Sequence, residues 1–167
     1  MVELLGFDIR SATESDLPGM EWEGEYRRFR RLYRQAWADV KHGRRLILLA
    51  QADGVLIGQI IVQVGANLPA LDDGTLTGYL HAFRVRPAYR NQGVGTRLIQ
   101  QAEESLRQRR IQRVAIAVDK SNPEARRLYE RLGYSVVGED PGEWTYLDDE
   151  GQERAVSEPS YILARSL

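Results

Sequence analysis

The chain reads as one mixed α/β domain spanning residues 1–167, and three observations predict it. β-rich runs at residues 46–50 and 55–64 are joined by Asp53-Gly54, a pair that favours a hairpin turn. An apolar run at residues 113–118 has the pattern of a central strand covered on both faces. Apolar residues change to helical spacing at residues 95–109 and again after Asn122. Strands interleaved with helices predict a mixed sheet flanked by helices.

The remaining elements follow in order. Residues 7–10 make a short first strand. Thr13-Glu14-Ser15-Asp16-Leu17-Pro18 reads as a helix entry, with a hydroxyl cap and early acids. From residue 22 to 40, Tyr26, Phe29, Leu32, Tyr33, Ala36, Trp37 and Val40 recur at helical spacing. Arg27, Arg28, Arg30, Arg31 and Arg34 fill the other face, and a solvated face paired with nearby acids is the plainer reading than a nucleic-acid surface. Residues 65–74 are a loop, and 75–86 the next strand. In the helix at 95–109, Leu98, Ile99, Ala102 and Leu106 form the buried stripe. Asn122-Pro123-Glu124 caps and opens a further helix, which Gly133 ends. Residues 134–138 and 160–164 are strands. Between them, residues 140–157 are acidic and turn-rich, with a hairpin through Asp148-Asp149-Glu150-Gly151.

Composition excludes several chemistries. There is no cysteine, so disulfides, thiolate metal sites and a cysteine nucleophile are all absent. With only His42 and His81, no metal cofactor is expected. A net charge of −1 gives no general attraction to nucleic acid or to an anionic membrane. Neither a secretory leader nor an apolar segment of about 20 residues is visible, so the expected location is the cytoplasm.

The chemistry-bearing segment is Arg90-Asn91-Gln92-Gly93-Val94-Gly95-Thr96, where a strand pattern gives way to a helix. Glycines there let the backbone turn tightly and leave amides uncovered at the positive end of a helix, a cradle for phosphate. A nucleotide P-loop needs a lysine that is missing here, and a dinucleotide turn needs a third glycine where Leu98 stands.

Val85-x-Pro87-x-x-Arg90-x-x-Gly93-x-Gly95, followed by a helix, a strand and Asn122-Pro123-x-Ala125-x-x-Leu128-Tyr129-x-x-Leu132-Gly133-Tyr134, resembles the GCN5-related N-acetyltransferase (GNAT) superfamily. The resemblance spans roughly residues 46–137. It implies an acyl-CoA N-acyltransferase fold: a mostly antiparallel sheet, bulged in the strand ending at Val85 and splayed beside it. It implies acetyl-CoA as cosubstrate, with its pyrophosphate on the amides from Gln92 to Thr96 and with Arg90 and Asn91 shaping the loop. Phe83, Arg84 and Val85 would offer main-chain hydrogen bonds to the pantetheine, and Asn122 would contact the coenzyme arm. Tyr129 would protonate the departing thiolate; the alternative is that Tyr129 belongs to its helix's buried stripe. Tyr134 reads as core.

The implied reaction is direct attack of a primary amine on the acetyl carbonyl. His81 is a candidate general base, because an imidazole titrates near pH 6.5. Alternation places it with Tyr79, Phe83 and Val85 on one strand face, so a structural histidine is the equal alternative. Glu143, Asp148 and Tyr79 are further candidates. The acceptor, a small molecule or peptide amine, would enter between residues 22–33 and the acidic segment 140–157. That segment carries Trp144 and Tyr146 and suits a cationic amine, although a solvated loop with Trp144 packed on the core is the plainer reading. Similar proteins are often homodimers. A non-catalytic coenzyme A sensor with the same fold is the competing function.

Overall fold

The computed structural model describes residues 2–167. Nine strands and three α-helices follow the chain as β1 (Asp8–Ser11), α1 (Arg30–Lys41), β2 (Arg45–Ala52), β3 (Val55–Gln63), β4 (Thr77–Val85), α2 (Val94–Gln108), β5 (Arg113–Asp119), α3 (Pro123–Arg131), β6 (Ser135–Asp140), β7 (Glu143–Leu147), β8 (Glu153–Ser157) and β9 (Ser160–Ser166). Seven strands form one sheet in the order β1-β2-β3-β4-β5-β9-β6, and β7 pairs with β8 as a separate hairpin. Every pairing is antiparallel except β4 with β5.

Period-two alternation explains how both sheet faces are covered. In β2, Leu48 and Ala50 join the cluster of Leu80, Leu98, Ile99, Leu106, Ile116 and Leu163 beneath α2 and α3. Ile47 and Leu49 point the other way, onto Met20, Tyr33 and Ala36 around α1. The stripe predicted for α2 is fully buried.

Two local expectations are corrected. The entry at Thr13 leads not into an α-helix but into a 3-10 helix at Glu14–Glu21. The helix expected from residue 22 begins at Arg30. Trp22 and Glu23 adopt left-handed backbone, with φ of 48° and 56°, and Gly24 follows at 101°, so the chain reverses before the helix can start. The arginine face behaves as a solvated face: Arg30 pairs with Glu21 at 2.8 Å, and Arg28 donates to the Glu25 carbonyl.

The site is positioned by an irregularity in β4. Gln59 of β3 faces Arg84, whereas Ile61 faces His81, so β4 carries one extra residue. Ala82 takes φ of 50° there, a left-handed conformation that marks a β-bulge. The bulge inverts the alternation. Leu80, Phe83 and Val85 pack toward α2, while Tyr79, Ala82 and Arg84 lie on the α1 side. His81 stacks on Tyr79 with ring centroids 5.9 Å apart. The expectation that His81 shares a face with Phe83 and Val85 is therefore corrected.

Candidate active site

Beyond the bulge, β4 loses its neighbour. The β4–β5 ladder runs from Thr77–Arg113 to Leu80–Ile116 and stops, while β5 continues to Asp119 on β9. Residues 81–85 thus have no ladder partner on their β5 side. The gap opens a cavity of about 890 Å³ that passes between the faces of the sheet. Phe83, Asn122, Ala125 and Tyr129 line it toward α2 and α3; Tyr26, Phe29, Tyr33, His81 and Arg84 line it toward α1.

At the α2 end lies the glycine turn. Gly93 occupies the N-cap with φ of 85°, and Asn91 is also left-handed at 61°. The amides of residues 91–96 find no acceptor among the described residues, so Gln92, Gly93, Val94, Gly95 and Thr96 present their N–H groups outward. A side chain on Gly93 would meet nothing within 4 Å, which leaves open space above those amides. Arg90 shapes the loop by donating from Nε to the Val85 carbonyl at 3.0 Å. Gln92 also ties the turn to the chain start: its amide accepts from Leu4 N at 2.8 Å and donates to the Val2 carbonyl. A helix N-terminus with unpaired amides, packed through Gly95 against Phe83 of the unpaired strand edge, fits a diphosphate followed by an extended amide-bearing arm.

Asn122 caps α3, its Oδ1 accepting from Ala125 N at 3.1 Å, and its side chain borders the cavity. Tyr129 is only 5% exposed, 6.2 Å from the Phe83 ring, and its hydroxyl has no partner among the described residues. Burial pushes this phenol well above its ordinary value, with the nearby Tyr79 adding to the shift. It is therefore a protonated donor aimed at the cavity. Tyr134 is core, as expected, and donates to Glu103 Oε2 at 2.8 Å.

His81 Nε2 is buried without a partner. Burial, followed by the charges of Arg45 and Arg84, pushes the imidazole down to about 4, so it is neutral at pH 7. Asp148 is not in the cavity. Its carboxylate accepts from the amides of Glu150 and Gln152 and from Arg154 Nε, which holds the β7–β8 turn. Backbone hydrogen bonding from Gln152, ahead of the Arg154 partner, keeps it below the usual carboxylate range. Tyr79 and Glu143 do line the cavity, and burial pushes the Tyr79 phenol up.

The acidic segment is a wall of the site rather than a loose loop. Tyr146 is its buried aromatic, 5.2 Å from Phe29, whereas Trp144 stays 41% exposed at the cavity rim. The reading of Trp144 as packed on the core is corrected: within the β7–β8 hairpin Tyr146 takes the inward position.

Sequence reasoning missed the side chains of Arg84, Tyr33 and Gln59. Arg84 Nη1 donates to Tyr33 Oη at 2.9 Å, and Gln59 Nε2 donates to the same oxygen at 3.4 Å and to the Ala82 carbonyl at 3.2 Å. The signal was there for Gln59, a lone polar residue inside the apolar run of β3. Tyr26, Phe29 and Tyr33 were visible too, but as a helix stripe.

A mixed sheet splayed beside a bulged strand, with a glycine turn at the head of the next helix, defines an acyl-CoA N-acyltransferase fold. The family model described as "Acetyltransferase (GNAT) family" matches residues 9–134, and the chain belongs to that family. A curated relative, the acetyltransferase Atu2258 of Agrobacterium fabrum, is 33% identical over 78 residues. That match covers 40% of this chain and 56% of the relative's length. The ribosomal-protein-S18-alanine N-acetyltransferase of Escherichia coli superposes with a TM-score of 0.70 at 21% identity, covering 96% of this chain and 94% of that one. The PaiA N-acetyltransferase of Thermoplasma acidophilum, solved with coenzyme A, gives 0.68 at 18% identity, covering 98% and 100%. Arabidopsis thaliana NAA60, solved with a bisubstrate analogue, gives 0.70 at 21%, covering 96% and 98%. Among the described residues no helix is long and apolar enough to cross a membrane.

Proposed function

We propose that the protein transfers an acetyl group from acetyl-CoA to a primary amine by direct attack. The observation that carries this reading is that Phe83, which lines the cavity together with Tyr129, also packs against Gly95 at the head of the open amides of residues 91–96.

The coenzyme supplies an activated thioester; the chain supplies everything that orients it. Amides of Gln92 to Thr96 hold the diphosphate, with Arg90 bracing the loop. The unpaired edge at Phe83, Arg84 and Val85 receives the pantetheine amides, and Asn122 borders the same path. A main-chain N–H at the bulge donates to the acetyl oxygen as charge develops there. The amine enters from the side of Tyr26, Phe29 and Tyr146. A nitrogen–carbon bond forms, the carbon–sulfur bond breaks, and the sulfur takes the bonding pair. The Tyr129 hydroxyl donates a hydrogen bond to that sulfur. With its phenol raised by burial, Tyr129 is a poor free acid, so it acts by hydrogen bonding as the sulfur gains charge, not by prior ionisation.

An amine attacks only when neutral, and alkyl ammonium groups hold their proton up to about pH 10. A histidine held near 4 is too weak a base to remove it. We assign that proton to solvent at the cavity mouth, and His81 to a neutral wall of the acceptor side.

The test is a panel of primary amines with acetyl-CoA, read by thiol release and by mass of the acetylated product. Acceptor-dependent release supports transfer. Release with no acceptor dependence and no acetylated product replaces it with the coenzyme-sensor reading.

A further inference from the structure

The acceptor side of the cavity contains an arginine whose charge is unanswered. Arg84 follows the bulge, so its side chain leaves the sheet on the α1 face while its backbone pairs with Gln59 of β3. Its guanidinium is fixed on two sides. Nη1 donates to the buried Tyr33 hydroxyl at 2.9 Å, and the guanidinium carbon stands 4.1 Å from the centre of the Tyr26 ring and 5.3 Å from that of Phe29. Tyr33 is itself held by Gln59, which is 1% exposed. No carboxylate among the described residues pairs with Arg84, whereas Arg45, on the same cavity wall, pairs with Asp39 at 3.3 Å.

A second cation shares the aromatic step. Arg28 lies 4.5 Å from the Phe29 ring centre and 5.3 Å from that of Tyr26, and it too borders the cavity without a carboxylate partner among the described residues. The neighbouring His81 supplies no compensating charge, and its imidazole is disfavoured from protonating in part by Arg84 itself. Half-buried guanidinium groups are normally answered by an anion, and a planar fork with free N–H groups matches a carboxylate. Phe29, Leu32 and Tyr146 give the cavity an apolar part, and Asp140, Glu143 and Glu158 also line it.

We propose that Arg84 binds the carboxylate of the acceptor, so that the acetylated amine belongs to an amino acid or similar zwitterion with an apolar body. This rests on the acetyl-transfer reading above and gives it a substrate class. Arg84 is a specificity residue: its side chain sets how far from the thioester an anion sits. The fixed geometry means little side-chain freedom is lost on binding.

Three matched pairs test the assignment: glycine, leucine and phenylalanine, each against its carboxamide. Each pair keeps the body and changes the charge; because the carboxamide also lowers the pKa of the amine, rates are compared per neutral amine. Acetyl transfer is measured as kcat/KM in the native protein, in Arg84→Gln and in Arg84→Lys. The native protein should favour the carboxylate of at least one pair by about ten- to hundredfold, the range for a hydrogen bond to a charged group. Arg84→Gln should bring that ratio close to one, and Arg84→Lys should restore part of it. Calorimetric titration of the same pairs into the coenzyme A-bound protein separates this proposal from the reaction. Carboxylate-selective binding that is lost in Arg84→Gln upholds it even if no amine is acetylated. Equal binding of all three pairs, or a preference that survives Arg84→Gln, overturns it.

Discussion

A Cβ built on Gly95 would stand 2.9 Å from Cζ of Phe83. The second glycine of the turn therefore does a different job from the first. Gly95 lets α2 close onto the bulged strand, and Gly93 supplies a backbone conformation. Through this contact the glycine turn and the bulged strand are held in register.

The two glycines predict separable defects. Gly93→Val forces a β-branched residue to φ near 85°, a strain of about 1–3 kcal/mol, and covers the open amides. Gly95→Val displaces Phe83 instead. Both variants should keep native circular dichroism and lose coenzyme A affinity by more than about tenfold, given that helix N-terminal amides supply the anion contact. Calorimetry with coenzyme A decides it, and undiminished affinity in Gly93→Val would remove the turn from the coenzyme site.

Tyr129 and Tyr134 neighbour each other, with rings 6.3 Å apart, yet opposite outcomes are expected. Tyr129→Phe removes a hydroxyl with no internal partner, so it should cost little stability while lowering kcat by about a hundredfold. Tyr134→Phe leaves the buried Glu103 short of a donor and should cost about 1–3 kcal/mol in denaturant unfolding with turnover kept. Wild-type kcat in Tyr129→Phe would return Tyr129 to a packing role.

His81 links stability to pH. Its folded-state value, pushed down to about 4, lies below the ordinary 6.5, so the unfolded chain binds more protons in that window. Stability contributed by neutral His81 is present above pH 6.5 and drains away as pH falls toward 4, by up to about 3 kcal/mol. The loss on acidification should be smaller in His81→Gln. Unfolding midpoints of the two proteins at pH 7 and pH 4.5 give the comparison, and parallel losses would contradict the buried neutral imidazole.

The same residue predicts the shape of the rate profile. With solvent taking the amine proton, kcat/KM should climb about tenfold per pH unit until the acceptor's own ammonium titrates. Exchanging an acceptor of high amine pKa for one of low pKa should move the plateau by the same amount. A break near pH 6.5 that is common to all acceptors and absent from His81→Gln would restore His81 as the base.

Much of this protein was legible from its sequence because the relevant physics is local. The glycine turn, the caps at Asn122 and Gly133, the Asp53-Gly54 hairpin and the stripe of α2 depend on neighbours within a few residues. Such patterns also carried the family resemblance.

Only the tertiary structure decided what lies opposite what. One extra residue at Ala82 inverted the alternation of β4, separating His81 from Phe83 and turning Arg84 toward Tyr33. No local propensity encodes that insertion; it is visible only as a register shift against β3. Likewise Tyr26 and Phe29 read as a helix stripe until the left-handed turn at Trp22 and Glu23 placed them ahead of α1, at the wall of the cavity. Pairing partners distant in the chain set both outcomes, because burial and cross-strand hydrogen bonds outweigh the conformational preference of any single residue.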